Sequence, residues 1–558
     1  MNARLDDLAR RYWDLRLETT PSVAPIEGDF RFCGAVEDWT AEHEAATRSR
    51  LAELLEGVTA LDPAELSLSE RVTAGLLRSE LNDEIESIDL RTIELDSNQM
   101  TGPHAMYLQL PPQTTYPDPA CANEVPDRYR EMPAALAGLM QRFREGLDAG
   151  RTPARLSIER SLMQLDGYLA TAPDEDVFLS VGGPPDWDGE SAWRAGLADA
   201  TARAVRPAFA RFREEMHDEL LPVARDDDHA GLCHLPDGTE LYEAAIRRHT
   251  SLRLGAEEIH RIGLDEIASL ADEYRSVAPA GLGTDDLGEI FDRLRSDTDL
   301  RYGDRSEILS AAGDSLARAK AAMGDWFGLV PQADCVIEPV PEFMEAAMPP
   351  AYYWPPGPEG ERPGTYYVNT HNPTEQSRVE AQAIGYHESI PGHHLQVAIA
   401  TELPDVPIFQ RRSMANTAYL EGWGLYAERL ADEMGLYSGV LDRLGMLVAD
   451  SWRAGRLVVD TGIHALGWSR QQAIEWMEAN TPIAPDTIAV EIDRYVAMPG
   501  QALSYKLGQR EIFRLRAHAQ EQLGERFDIA DFHDVVLGSG TVSLPILGDL
   551  IDRWITSR

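Results

Sequence analysis

The sequence predicts a mainly α fold: a large multi-helix body with a small β hairpin or sheet beside one helix that carries several histidines. Three observations lead there. Apolar residues recur at spacings of three and four along most of the chain, which marks one face of a helix. One Pro- and Gly-rich segment interrupts that pattern and is followed by a short β-prone run. A chain of 558 residues, 43% apolar and 26% charged, is long enough for a large buried core.

The elements follow in order. Leu5, Leu8, Tyr12 and Leu15 form the first stripe. Similar stripes run through 130–170, 188–222, 256–278 and 304–327. Gly182-Gly183-Pro184-Pro185 and the segment 225–238 punctuate them. The length suggests an N-terminal helical lobe over 1–240 and a catalytic helical lobe over 241–558, or one continuous domain. Residues 349–364 hold too much Pro and Gly for a helix. Thr365–Asn369 then reads as a strand. Asn372 or Thr374 is the expected cap of the next helix, with Pro373 in its first turn and Val379, Ile384 and His387 along it.

Charge and composition exclude some functions. A net charge of −43 argues against a nucleic-acid or anionic-membrane partner, which needs basic patches. The acidic residues are spread out, as on a solvated surface. No run approaches the ~18 apolar residues of a membrane span. The first residues, MNARLDDLARRYWDLRLE, lack the apolar stretch of a signal peptide, so the expected setting is cytoplasmic. Cys33, Cys121, Cys233 and Cys335 are far apart and form no C-x-x-C pair. Reduced, mostly buried thiols are the expectation.

The chemistry concentrates in His387-Glu388-Ser389-Ile390-Pro391-Gly392-His393-His394. In an H-E-x-x-H helix the two imidazoles, four residues apart, reach one zinc, and the Glu between them addresses its water. Here position 391 is proline. On a straight helix His393 would point about 240° away from His387, and His394 would share its face at about 10 Å. Pro391 cannot donate the helical bond to residue 387, and Gly392 permits backbone angles closed to other residues. A break there can fold the next turn back, so that His393 takes the place of the missing fifth residue. His394 is the competing ligand.

A third ligand must come from elsewhere. Leu420, Trp423, Ala427 and Leu430 define an apolar helix face beside Glu421 and Glu428, and carboxylates at such a boundary are costly unless paired or bound to metal. Asp460 and His464, four apart on a helix, can form a pair in which the carboxylate orients the imidazole. Arg494 and Lys506 are candidate partners for a substrate carboxylate. Strand 365–369, with Tyr367 and Asn369, is a candidate edge for pairing with an extended peptide.

The motifs His387-Glu388-x-x-Pro391-Gly392-His393-x-x-Gln396 and Glu421-Gly422-Trp423-x-Leu425-Tyr426-x-Glu428 resemble the bacterial domain-of-unknown-function 885 family. So do Asp460-Thr461-Gly462-x-His464 and Pro499-Gly500-Gln501-Ala502-x-x-Tyr505-Lys506-x-Gly508. That family is placed with zinc peptidases of the H-E-x-x-H plus glutamate type. Gly392-His393 and Ser504-Tyr505-Lys506-Leu507-Gly508 are also similar to segments of the thermostable carboxypeptidase family, with a two-residue insertion before the second histidine. The resemblance implies a zinc-peptidase-like fold, His387, His393 and Glu421 as zinc ligands, Glu388 as general base and Tyr505 as oxyanion donor. His394 is left as a neighbour. The implied activity is zinc-dependent amide hydrolysis of short peptides, in carboxypeptidase mode as one form. Two other classes are a non-haem iron(II) oxygenase, which also uses two histidines and a carboxylate, and a non-catalytic binding protein with a degenerate site.

Overall fold

Apolar spacing turns into buried helix faces. In the computed structural model, which describes residues 2–558 except 343, 344, 346, 347, 358–361, 405 and 414, the first helix is Ala3–Thr19. It buries Leu5, Leu8, Tyr12 and Leu15, and the Asn2 side chain caps it by accepting from the Arg4 and Leu5 N–H groups. The 130–170 stripe is two helices, Pro119–Asp148 and Arg155–Ala170. They part where Gly150 takes φ 78° and the Arg151 N–H donates to the Gly146 carbonyl, a left-handed helix stop. The later stripes form Glu190–Ala200 with its continuation, Ala256–Val277 and Arg305–Ala322.

The hydrophobic core crosses position 240. Leu5, Leu8, Tyr12, Leu77 and Leu81 pack in one cluster with Tyr386, Trp423, Ile512 and Ile551. A second cluster lies around Phe143, Phe209 and Phe212, and a third along the long helix Val440–His464. No helix among the described residues is long and apolar enough to cross a membrane.

The sheet differs from expectation in two ways. It has three strands, β1 (Cys335–Pro339), β2 (Ala351–Trp354) and β3 (Gly364–Val368), in the order β1-β3-β2. The 349–364 segment thus contains β2, although its residues 358–361 lie outside the described ones. And β3 is the central strand, parallel to β1 and antiparallel to β2. Both its edges are paired, so the 365–369 run has no free edge for a peptide.

The helix cap also differs. Asn372 adopts φ 44° and starts only the short turn Pro373–Glu375. The histidine helix begins at Ala381, after Glu380, with no side-chain cap. Val379 precedes it and is buried.

The thiols need a further correction. Cys33 and Cys121, 88 positions apart, form a disulfide with Cα atoms 5.4 Å apart. The fold brings them into one core cluster, which separation along the chain does not reveal. Cys233 and Cys335 are free.

Candidate metal centre

The site starts from the break. The helix Ala381–Glu388 ends, Ser389–Gly392 turn with a cis Ile390–Pro391 peptide, and a second helix, His393–Glu402, begins. A Cβ on Gly392 would collide with the carbonyl oxygens of Tyr386 and His387, so only glycine lets the chain fold back over the last helical turn. The bend is held from outside: the indole N–H of Trp423 donates to the Pro391 carbonyl at 2.9 Å. Gln396 ties the second helix down by donating to the Tyr419 carbonyl at 3.2 Å.

The fold-back brings His387 and His393 together. Their ring centres lie 4.7 Å apart with the planes at 89°. His394 faces the other way. Its Nδ1 lies 3.1 Å from the Tyr353 hydroxyl on β2, and burial pushes its pKa down to about 4.

Glu421 completes the set from the helix Thr417–Glu433. Its Oε2 is 3.4 Å from His387 Nε2 and 3.4 Å from His393 Nε2. A tetrahedral ion with bonds of about 2.0–2.1 Å needs donor atoms about 3.4 Å apart, and the two separations from Glu421 to the histidine nitrogens match that value. Each of the three residues offers one atom, and these lie within 4.8 Å of one another.

The same helix fixes His387 from behind. Glu428, considered above as an alternative ligand, accepts from His387 Nδ1–H at 2.8 Å. This leaves Nε2 as the free donor and sets the ring plane, as partners of metal-bound histidines do. Gly424 lies under the ring, where an added Cβ would come within 2.6 Å of it. Glu421, Gly424 and Glu428, spaced three and seven apart, share one helix face. Burial disfavours a charge on His387, yet Glu421 and Glu428 outweigh it and push its pKa up to about 9. Burial likewise opposes the charge on Glu421, but hydrogen bonds from His387 and His393 hold its carboxyl well below the usual range.

Two further groups face the cluster. Glu388 lies half-buried beside the histidines, and desolvation raises its pKa. The Tyr505 ring stacks at 6.5 Å from His387. Tyr505 is carried by the helix Ser504–Leu523, which crosses Thr417–Glu433 with Gly508 against Gly422. A side chain at either glycine would separate the helices and withdraw the tyrosine.

A family profile described as "Bacterial protein of unknown function (DUF885)" matches residues 21–551. The chain belongs to this family. Among solved structures it is similar to a protein of Colwellia psychrerythraea provisionally designated a lipoprotein, with 25% identity, a TM-score of 0.91 and 100% of each chain covered. It is also similar to one of Shewanella oneidensis, provisionally designated a lipoprotein of unknown function, with 18% identity, a TM-score of 0.77, and 98% of this chain and 99% of that one covered. No curated protein matches it.

Several expected site residues lie elsewhere in this DUF885 protein. His464 donates from Nε2 to the Tyr495 carbonyl at 2.9 Å and accepts at Nδ1 from the Leu232 N–H at 3.2 Å. Both ring nitrogens are taken, and burial lowers its pKa to about 4, so it packs rather than shuttles protons. Asp460 does not pair with it. Its carboxylate accepts from Tyr242 at 2.5 Å and from the Gly500 N–H at 3.2 Å. Lys506 is buried and bound by Asp450 at 2.6 Å, Gln509 at 2.8 Å and Glu266 at 3.0 Å, leaving no donor for a substrate. Asn369 uses its amide on the carbonyls of Glu345 and Met348 at 2.7 and 2.9 Å and anchors a loop. Tyr367 stacks on Tyr352 at 5.0 Å. Its neighbour Tyr366, on the opposite face of β3, is buried and senses the Glu388 charge. Arg494 stays near the cluster, its charge acting on Tyr505; it donates to Gln501 at 2.9 Å, and its buried Nε has no hydrogen bond but lies 3.9 Å from Glu491.

Sequence reading missed two groups here, Arg453 and Arg456. Their guanidinium carbons sit 5.9 and 4.4 Å from the Tyr505 ring centre. The signal was present: two arginines lie within a helix that is otherwise buried from Leu444 to His464 with few breaks.

Proposed function

We propose that the centre holds zinc and that the protein hydrolyses amide bonds in short peptides. The observation that carries this reading is the spacing of His387, His393 and Glu421 with Glu388 beside them and Glu428 behind. His387 Nε2, His393 Nε2 and a Glu421 oxygen would hold the ion. Zinc in such a site lowers the pKa of water toward ~7 and polarises a carbonyl.

The chain's own groups do the rest. Glu388 accepts a proton from the attacking water and returns it to the leaving amine. Its burial raises its pKa, which suits a group that must both take and give a proton. The Tyr505 hydroxyl donates to the developing oxyanion; losing one such donor typically costs about 10²–10³ in rate. The buried setting, with Tyr505 only 9% exposed, favours short or unstructured substrates over folded proteins.

Glu388→Gln tests the reading. The variant is expected to bind zinc as wild type does and to lose hydrolysis of a peptide library. Turnover at the wild-type rate would overturn it.

The Cys33–Cys121 bond favours an oxidising compartment over the cytoplasm. The lipoprotein designation of the two structural neighbours points the same way, toward the cell envelope. Mass measurement with and without reductant, on protein isolated from its native cells, tests this; fully reduced thiols would favour the cytoplasm.

A further inference from the structure

Arg128 and Arg453 are the two buried cations without an ion pair among the described residues, and of these two only Arg453 has a buried nitrogen without a hydrogen-bond partner. It is 9% exposed, and its one hydrogen bond runs from Nη1 to the Ala449 carbonyl at 3.3 Å. Its Nε is buried without a partner. No ion pair involves it among the described residues, whereas Lys506, Arg429 and Arg456 are each bound by carboxylates. Arg456 is 3% exposed and pairs with Glu491, yet its Nη1 is also buried and unused. The Arg453 charge acts on the carboxylates of Glu380 and Glu388, but neither forms an ion pair with it among the described residues, so its Nε stays without a partner. An unpaired buried charge is costly, which points to a partner that is not part of the chain.

The place of these donors indicates that partner. The guanidinium carbons of Arg453 and Arg456 lie 5.9 and 4.4 Å from the Tyr505 ring centre, and the His387 ring stacks on it at 6.5 Å. Glu388 feels the Arg453 charge. Both guanidinium groups and the ring of His387 thus lie against the same tyrosine, within the reach of a short peptide whose adjacent Cα atoms are ~3.8 Å apart.

We infer that Arg453, with the free Nη1 of Arg456, binds the terminal α-carboxylate of the substrate, so that the amide before the last residue is the one cleaved. This rests on the hydrolase reading above. Water adds across that amide: its oxygen joins the carbonyl carbon, the C–N bond breaks, and the proton goes to the leaving nitrogen. The products are a shortened peptide with a new carboxylate and a free amino acid. Arginine suits the task because its planar fork matches a carboxylate with two parallel hydrogen bonds.

The test compares a set of N-acetylated dipeptides with the same set as C-terminal amides. Cleavage by the zinc-loaded protein is read by mass spectrometry, and binding to the metal-depleted protein by calorimetry. The free acids are expected to bind the metal-depleted protein selectively and to be cleaved with a KM about 100-fold below that of the amides. Arg453→Met is expected to raise KM for the acids by a similar factor, with kcat within about threefold. It should melt no lower than wild type, because an unpaired buried charge is removed. A large drop in melting temperature with KM unchanged would make Arg453 a packing residue and overturn the inference. Equal binding and cleavage of acids and amides would overturn it while leaving the hydrolase reading intact, and binding of neither would overturn it too. Selective binding of the acids without cleavage of either set would support the carboxylate subsite and defeat the hydrolase reading.

Discussion

Glu428 never touches the proposed ion, yet it decides which nitrogen of His387 does. Its carboxylate holds Nδ1–H at 2.8 Å and is itself 1% exposed. Glu428→Ala is therefore expected to lower zinc affinity by about 10–100-fold, read by competition with a chelator of known affinity. Unchanged affinity would show that the ring is held by packing alone. At this scale the meeting of His387 with a second imidazole was legible in the sequence, because a broken helix leaves few ways for it to happen, whereas Glu421 as the third member came from the family resemblance. Lys506 and His464 were not legible. Asp450 lies 56 positions from Lys506, and Leu232 lies 232 positions from His464. A polar side chain's partner across such distances is set by packing, and neither local spacing nor residue type reports it. Asn369 was misread for a nearer reason: from the end of β3 its amide holds the loop just before β2, where a polar group on a strand end looks the same as one awaiting a ligand.

Two elements position the site, and each depends on a glycine. Gly392→Ala would drive a methyl group into the carbonyls of Tyr386 and His387. The second helix is expected to swing away, with loss of zinc binding by isothermal titration while the bulk helical signal persists. Gly508→Ala acts on the other element. Its Cβ would strike the Ala418 carbonyl, forcing apart the helices that carry Glu421 and Tyr505. The expected cost is on the order of 1–3 kcal/mol, with hydrolysis reduced more than zinc affinity; equal loss of both would mean that the helix crossing serves the ligands rather than Tyr505. The helix Val440–His464 carries a pH signature. Burial pushes Asp460 up to about 7 from 3.8. The fold thus favours its protonated form, and that stabilisation is present below 3.8 and lost as pH rises through about 7. Asp460→Asn, neutral throughout, is expected to show a shallower fall in melting temperature over this window than wild type, and a steeper fall would contradict the burial effect. The helical elements themselves were legible from their stripes. The strand order was not, because β1 joins β3 from outside the segment whose composition marked a strand.

Across the whole molecule, the Cys33–Cys121 bond closes a loop of 88 residues within one core cluster. Its reduction is expected to cost about 2–5 kcal/mol, read as a lower melting temperature in dithiothreitol and in Cys33→Ser. An unchanged melting temperature would mean that the bond is absent in solution or without effect on the unfolded chain. The core also links the first 81 residues to the metal-bearing half, so truncation before residue 240 is expected to give insoluble protein rather than a free catalytic lobe. All of these elements converge on one point in space, between two histidine nitrogens and one carboxylate oxygen. Anomalous diffraction at the zinc edge, from crystals of zinc-loaded protein, examines that point directly. The expected result is a single strong peak bonded to His387 Nε2, His393 Nε2 and Glu421. No peak there, or a peak bonded to His394 in place of His393, would contradict the proposed centre.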